Sequence, residues 1–257
     1  MYIISKTKCD ITWGQIKEAA ENGTVTELVK SGDQIPVTLK NGELVLFDAT
    51  YDKKGKLYFV AHNCIGECMP MNSEGGNRGG WKDCEMREYL HSEILPLLPD
   101  ELQAVIAPTT IVQVLDGERV ECQDKLFLLS ETQIFGETHY ADANGEPEDT
   151  QLDIFQNERD RVKEEDGEGT YWWWERSPNI SSSYIFCFVS SSGNANYNSA
   201  DNSSGVAPGF CVQTEHKDKS KEELEKELFT LRTKLNDLAG NVTRVMGTLS
   251  QILPNEN

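Results

Sequence analysis

Residues 171–212 read YWWWERSPNISSSYIFCFVSSSGNANYNSADNSSGVAPGFCV and fall into three unlike parts. Tyr171, Trp172, Trp173 and Trp174 set four large rings side by side and read as scaffold. Rings of that size bury about 150–250 Å² each and dominate the core they enter. From Asn179 to Ser204 the chain turns to Ser, Asn, Gly, Ala, Asp and Tyr around one apolar run, 185–189, with no Lys, Glu, Gln, Met or Trp. That composition belongs to a surface. Gly205, Val206, Ala207, Pro208 and Gly209 then supply turn chemistry ahead of an apolar strand through Phe210, Cys211 and Val212. A Ser/Asn/Gly/Tyr face held between aromatic walls has the make-up of a paratope, in which Tyr gives contact area at low entropic cost and Ser, Gly and Asn give adaptable hydrogen bonds. The candidate contact residues are Tyr184, Ile185, Phe188, Ser190, Ser192, Asn194, Asn196, Tyr197, Asn198, Ser199, Asp201 and Ser203. The competing reading is a solvated Ser/Asn loop without a binding role, the ordinary meaning of such composition.

The 257-residue chain has room for one large domain or two modest ones. A formal charge of -19 and a sequence pI near 4.6 argue against nucleic acid, whose phosphates are held by Lys and Arg, and against an anionic membrane surface. Solubility is the plainest meaning of that charge. No apolar run reaches membrane-spanning length, so no membrane insertion is expected. Residues 1–5 are too short an apolar start for a signal peptide, which implies synthesis in a cytoplasm. Seven cysteines, at 9, 64, 68, 84, 122, 187 and 211, are odd in number and include no CxxC pair. They read as reduced thiols without zinc-ligand spacing, and neither a metal nor a cofactor is expected. Spacing does not decide whether Cys187 and Cys211 bond.

Three portions follow from the patterning. In residues 1–60, Thr12 caps a short helix, TWGQIKEAA, that puts Trp13, Ile16 and Ala20 on one face. Ile35–Leu39 and Leu44–Phe47 form a hairpin through Asn41-Gly42, and Leu57–Ala61 adds a strand. Residues 61–214 hold the binding domain. The Gly-rich loop at 74–81, EGGNRGGW, does not fit a phosphate-binding motif. A helix is predicted over 83–98, with Pro96 ending or kinking its last turn, and Asp100 caps a shorter one stopped by Pro108. Thr110–Leu115 and Lys125–Leu129 read as strands. Residues 137–169 read as an acidic surface excursion with one short helix, in which Glu146, Pro147 and Glu148 come nearest to a calcium-binding signature. In residues 215–257, after the hinge HKDKSK, apolar residues fall at Leu224, Leu228, Leu231, Leu235, Leu238, Val242, Val245, Leu249 and Ile252, which is a heptad seam. Such a stripe must be covered by another copy, a partner or the domain itself. The fold class expected is α+β with a C-terminal α-helical coiled coil.

The WWWERSP box, the strand after it and the closing GVAPGFCV resemble the C-terminal half of the C-type-lectin-like fold. The version resembled is shared by formylglycine-generating enzymes, by variable proteins of diversity-generating retroelements and by a large family of gut bacteria and their phages. A W-x-x-C-x-x-R-x-x-L run at Trp81, Cys84, Arg87 and Leu90 matches that family's core helix, and LFLLSETQIFG at 126–136 its strand and following turn. The match over residues 1–60 is looser. In the retroelement-linked members Asn codons are randomised, and a randomised AAC codon never yields Lys, Glu, Gln, Met or Trp, the residues missing from 179–204. Ala207 stands where relatives carry Arg in a GVRP motif, and Arg176 is the nearest replacement. The resemblance implies a non-catalytic receptor-binding protein of a phage tail or bacterial cell surface. Its partners would be a host-surface protein or glycan, other phage tail proteins and further copies of itself through the 224–252 heptads, with a trimer implied by analogy with tail fibres. Two rival readings stand beside it. One is a structural tail or baseplate component, and the other is a copper oxidase-like enzyme using Cys187 and Cys211, whose surroundings do not match that enzyme's motif. His62, His91, His139 and His216 are scattered and pair with no nucleophile in a familiar arrangement.

Overall fold

The computed structural model describes residues 6–8, 10–165, 167–212, 230, 232–235, 238–240 and 242. In chain order the elements are β1 (Lys6–Thr7), α1 (Trp13–Glu21), α2 (Val25–Leu28), β2 (Asp33–Thr38), β3 (Leu44–Tyr51), β4 (Leu57–Ala61), α3 (Glu85–Tyr89), a π-helical turn (Leu90–Ile94), α4 (Leu95–Leu97), α5 (Asp100–Gln103), β5 (Ile106–Ala107), β6 (Thr109–Leu115), β7 (Glu118–Asp124), α6 (Glu131–Phe135), a 3-10 turn (Glu158–Arg161), β8 (Lys163–Glu165), β9 (Gly169–Tyr171), β10 (Trp173–Pro178), β11 (Ile185–Val189), β12 (Ala195–Ser199) and β13 (Gly209–Val212). The class is α+β.

The largest sheet has the order β1-β2-β3-β4-β13-β5. Its β2–β3 hairpin pairs Ile35 with Phe47 and Val37 with Val45, and Gly42 supplies the positive φ, 93°, that the turn requires. α1 packs on this sheet. Thr12 and Gln15 close a reciprocal capping box, and Trp13 meets Phe59 and Phe210 edge-on at 5.0 and 5.8 Å. β13 enters between β4 and β5 with its four residues buried. Residues on both sides of position 60 therefore share one sheet and one core. The boundary expected there does not mark a separate unit, and Met1–Glu215 is a single unit, with His216–Asn257 a second.

The helix expected over 83–98 is present as α3, the π turn and α4. Leu95 N–H donates to Leu90 O, one residue further back than in an α-helix, and this widened turn directly precedes Pro96, which has no N–H to give. Trp81, Cys84 and Leu90 are buried, and Arg87 pairs with the buried Asp124 at 2.7 Å. Asp100 lies inside the first turn of α5 and not at its cap, which is Pro99.

Two further expectations are corrected. Lys125–Leu129 is not a strand: Leu126–Leu129 are buried as irregular chain, tied to β13 by one bridge between Phe127 and Gly209. Four successive buried residues have no alternation, so their period does not separate a strand from packed loop. Segment 137–169 is not only a surface excursion, because Leu152, Ile154 and Phe155 enter the core. In the second unit the described residues are helical, and Leu235, Leu238 and Val242 of the heptad seam are exposed. The hinge and Leu224, Leu228, Leu231, Val245, Leu249 and Ile252 lie outside the described residues.

Candidate functional site

The expected binding stretch is built on the three-stranded sheet β10-β11-β12. Trp173 and Trp174 are fully buried, and their indole N–H groups donate to Arg161 O and Met69 O at 2.9 and 2.8 Å. Trp172 does not join them. It is 45% exposed and packs edge-on against Phe188 at 5.8 Å, while Trp174 meets the same ring at 6.1 Å. Phe188, expected among the contact residues, is thereby only 2% exposed and belongs to the core. The strand alternation that brings Ile185 partly to the surface sends Phe188 inward, three residues later.

β12 forms the edge of this sheet. Ser190 and Asn194 bond across the turn, Ala200 N–H donates to Tyr184 O, and the register pairs Phe186 with Asn198 and Phe188 with Asn196. Alternation along an antiparallel ladder then points the N–H groups of Tyr197 and Ser199 away from β11, toward the free edge. Each is taken up by the residue before it: Tyr197 N–H donates to Asn196 Oδ1 and Ser199 N–H to Asn198 Oδ1, both at 2.9 Å. These Asn side chains occupy donors that an open edge would offer to another strand.

Most of the other expected contact residues lie outward. Tyr184 is 65% exposed and Tyr197 44%, and Ser192, Asn194, Asn196, Asp201 and Ser203 are exposed. Ile185, Ser190, Asn198 and Ser199 are half-buried. Tyr197 packs edge-on against Tyr140 at 4.8 Å, so the nominally acidic excursion borders the same face. The tip of the β11–β12 turn is held from below. Gly193 O accepts from Arg161 Nε at 2.8 Å, and a Cβ on Gly193 would stand 1.9 Å from Glu158 O.

Beside this face lies a cleft of about 380 Å³, lined by Asn77 and Arg78, by Asp116 and Asp142, and by the 178–183 loop. The Gly-rich loop, which matches no phosphate motif, is its wall and its fastener. Asn77 Nδ2 donates to Ser182 O and Ile185 O, both at 2.8 Å, and Asn77 N–H donates to Ser183 O. The only signal in the sequence is an Asn set among glycines, whose backbone freedom lets the loop run close under the 179–185 segment; Gly80, at φ 59°, has no room for a Cβ beside Gln113 and Leu115.

Under the face is a buried polar network. Arg176 is fully buried, and its guanidinium donates to Leu128 O at 2.7 Å and Gln133 Oε1 at 2.8 Å, pairs with Asp149, and stands 3.1 Å from Glu146 Oε1 through Nε, whose N–H is not aligned for a hydrogen bond there. Burial pushes the Glu146 carboxyl up to about 7, against the pull of Arg176. Ser177 Oγ and Gln113 Nε2 also donate to Glu146. Glu146 and Glu148 are each paired with an arginine, the first with Arg176 in the interior and the second with Arg119 at the surface. Cys187 and Cys211 are free buried thiols in different sheets. His62 lies beside Asp48 at 2.8 Å, and His91 Nδ1 donates to Arg87 O at 2.8 Å.

No curated protein and no solved structure matches this chain. A family described as a domain of unknown function, DUF6273, matches residues 42–214 of the 257, which takes in most of the six-stranded sheet, the Gly-rich loop and the whole Ser/Asn/Tyr face. The chain belongs to the DUF6273 domain family.

Proposed function

We propose that this protein is a non-catalytic binding protein that offers the face around β12 to a host-surface protein or glycan, from a phage tail or a bacterial cell surface. The observation that carries the reading is the outward placement of Tyr184, Ser192, Asn194, Asn196, Tyr197, Asp201 and Ser203 on a sheet whose other strands are packed by Trp173, Trp174, Phe186 and Phe188. Stability sits behind the face and identity in front of it, which is the condition for changing one without the other. The C-type-lectin-like scaffold and retroelement diversification belong to the same proposal and are supported by the WWWERSP and GVAPGFCV motifs and by the residue bias of 179–204. The exposed Leu235, Leu238 and Val242 support self-association through the terminal heptads, with a trimer as the expected state. Several weak faces held together would bind with avidity that no single copy has.

The test combines substitutions at Tyr184, Ser192, Asn194, Tyr197 and Asp201 in the full chain, probed on arrays of bacterial surface glycans and on whole gut bacterial cells. Binding should be lost or redirected while the thermal midpoint stays within a few degrees. Unchanged binding, or binding only to virion proteins, refutes the proposal. Sedimentation of the full chain against a chain ending at 215 reads the oligomer.

A further inference from the structure

The interior behind the face holds a group of side chains with no role in presenting it. The register of β10 on β11 shifts between Trp174 and Pro178, and this bulge carries Glu175 into the interior, fully buried. Neither Glu175 carboxylate oxygen has a hydrogen-bond partner among the described residues. Glu131, also fully buried at the start of α6, lies beside it, and so does Cys187 of β11. One ligand atom from each lies within 4.8 Å of the other two. Glu131 is held in place by backbone N–H groups of His139, Tyr140 and Ala141, which donate to its oxygens at 2.8–3.1 Å.

A buried carboxylate with no donor is among the costliest arrangements a core can hold, and a second carboxylate beside it adds repulsion. Burial, with Glu131 next to it, raises the Glu175 carboxyl well above the ordinary range, and burial and the two carboxylates raise the Cys187 thiol. A proton alone removes the charge of Glu175 but supplies no donor to its remaining free oxygen.

We propose that Glu131, Glu175 and Cys187 form a buried site for a divalent cation of the zinc class. Three atoms no more than 4.8 Å apart enclose a point within about 2.8 Å of each, about 0.5 Å beyond Zn–S and 0.7 Å beyond Zn–O bonding distances, so small side-chain movements complete the bonds. Glu175 brings two free oxygens, which with one from Glu131 and the Cys187 sulfur make four donors. The thiol directs the choice of ion: calcium takes six to eight oxygens, whereas a thiolate beside carboxylates suits zinc. Binding displaces the thiol proton, and the proton that burial keeps on Glu175, to solvent, and the dication offsets two of the three negative charges of the resulting ligand set. The backbone donors on Glu131 act as the outer shell that orients a metal-binding carboxylate. The site ties α6 to β10 and β11 behind the binding face, and its role is structural.

The experiment loads the full chain with zinc, removes the excess by dialysis and measures metal by mass spectrometry. A cobalt-loaded sample is read for thiolate-to-cobalt absorption in the near ultraviolet. About one zinc per chain and the cobalt band are expected. Glu175→Gln, which removes the charge and keeps the shape, and Cys187→Ser should both lose them, while Cys64→Ser with Cys68→Ser should retain them. A chain that takes up no zinc, or one whose zinc and cobalt band survive in Glu175→Gln and Cys187→Ser but vanish in the Cys64/Cys68 variant, overturns the site. Should the core variants not fold, the cobalt band in the Cys64/Cys68 variant decides: its presence supports the site and its absence overturns it. Ligand binding by the outer face is read separately, so failure here leaves that proposal standing.

Discussion

Replacing Gly193 with Ala tests whether the tip of the β11–β12 turn is anchored from below. Gly193 has φ 84°, where a residue with a Cβ costs about 1–2 kcal/mol. The added Cβ would also stand 1.9 Å from Glu158 O and 2.7 Å from Glu158 C, both backbone atoms that no rotamer change can move. Relieving that contact takes a displacement of about 1 Å or more, which separates Arg161 Nε from Gly193 O and gives up a charged hydrogen bond of about 1.5–3 kcal/mol. The sum is about 2.5–5 kcal/mol, and in a unit of this size that lowers the thermal midpoint by roughly 5–20 °C. Gly117 is the control, because it has nearly the same φ, 83°, with nothing within 4 Å of its Cβ position. Gly117→Ala should cost only the conformational part, about 1–2 kcal/mol. Both variants are melted with tryptophan fluorescence, which reads Met1–Glu215 alone since Trp13, Trp81 and Trp172–Trp174 all lie there. Equal midpoints for the two variants would refute the anchoring, and with it the idea that the turn keeps its shape whatever side chains it carries.

Asn196→Val with Asn198→Val should uncover the outward amides of Tyr197 and Ser199, giving association that grows with concentration in light scattering; an unchanged monomer-to-oligomer ratio would show that these side chains do not guard the edge. Arg176→Met leaves Glu146 and Asp149 without their partner in the interior and should destabilise the chain by about 3–5 kcal/mol in urea unfolding, far more than Arg119→Met at its exposed pairs. Glu146 has its folded value raised to about 7 from 4.5, so the folded state holds this proton longer than the unfolded chain does. Stability from this group is therefore full below about pH 4.5, falls as pH rises to 7 and levels off above, by on the order of 3 kcal/mol. Glu146→Gln should remove that slope, as read from unfolding midpoints between pH 5 and 8.

Where one short rule governs a segment, the sequence is readable. Thr12 announces the start of α1, and Asn41-Gly42 announces the β2–β3 turn, because each is settled by residues within a few positions of one another. The outward set on β12 is readable for the same reason: small polar residues at an edge have no buried position to fill. Phe188 misleads because an apolar residue within a polar surround can face either way, and the walls that enclose it come from Trp172 and Trp174, fourteen or more residues earlier. The acidic composition of 137–169 hides the partners of Arg176, since a carboxylate destined for a buried ion pair has no local mark that separates it from a solvated one. Asn77 is hidden likewise: its three carbonyl acceptors lie more than a hundred residues away in the chain.

The place of β13 has a consequence for how the molecule is made. Its four residues fill the slot between β4 and β5, yet they follow the whole Ser/Asn/Tyr stretch in the chain. On the ribosome the early strands must wait, with the facing borders of β4 and β5 unpaired, until residue 212 has emerged. Contacts of such long sequence separation form slowly. The strand that closes the six-stranded sheet is thus made last, directly after the Ser/Asn/Tyr stretch, so completing the core waits on the part of the chain that presents the face.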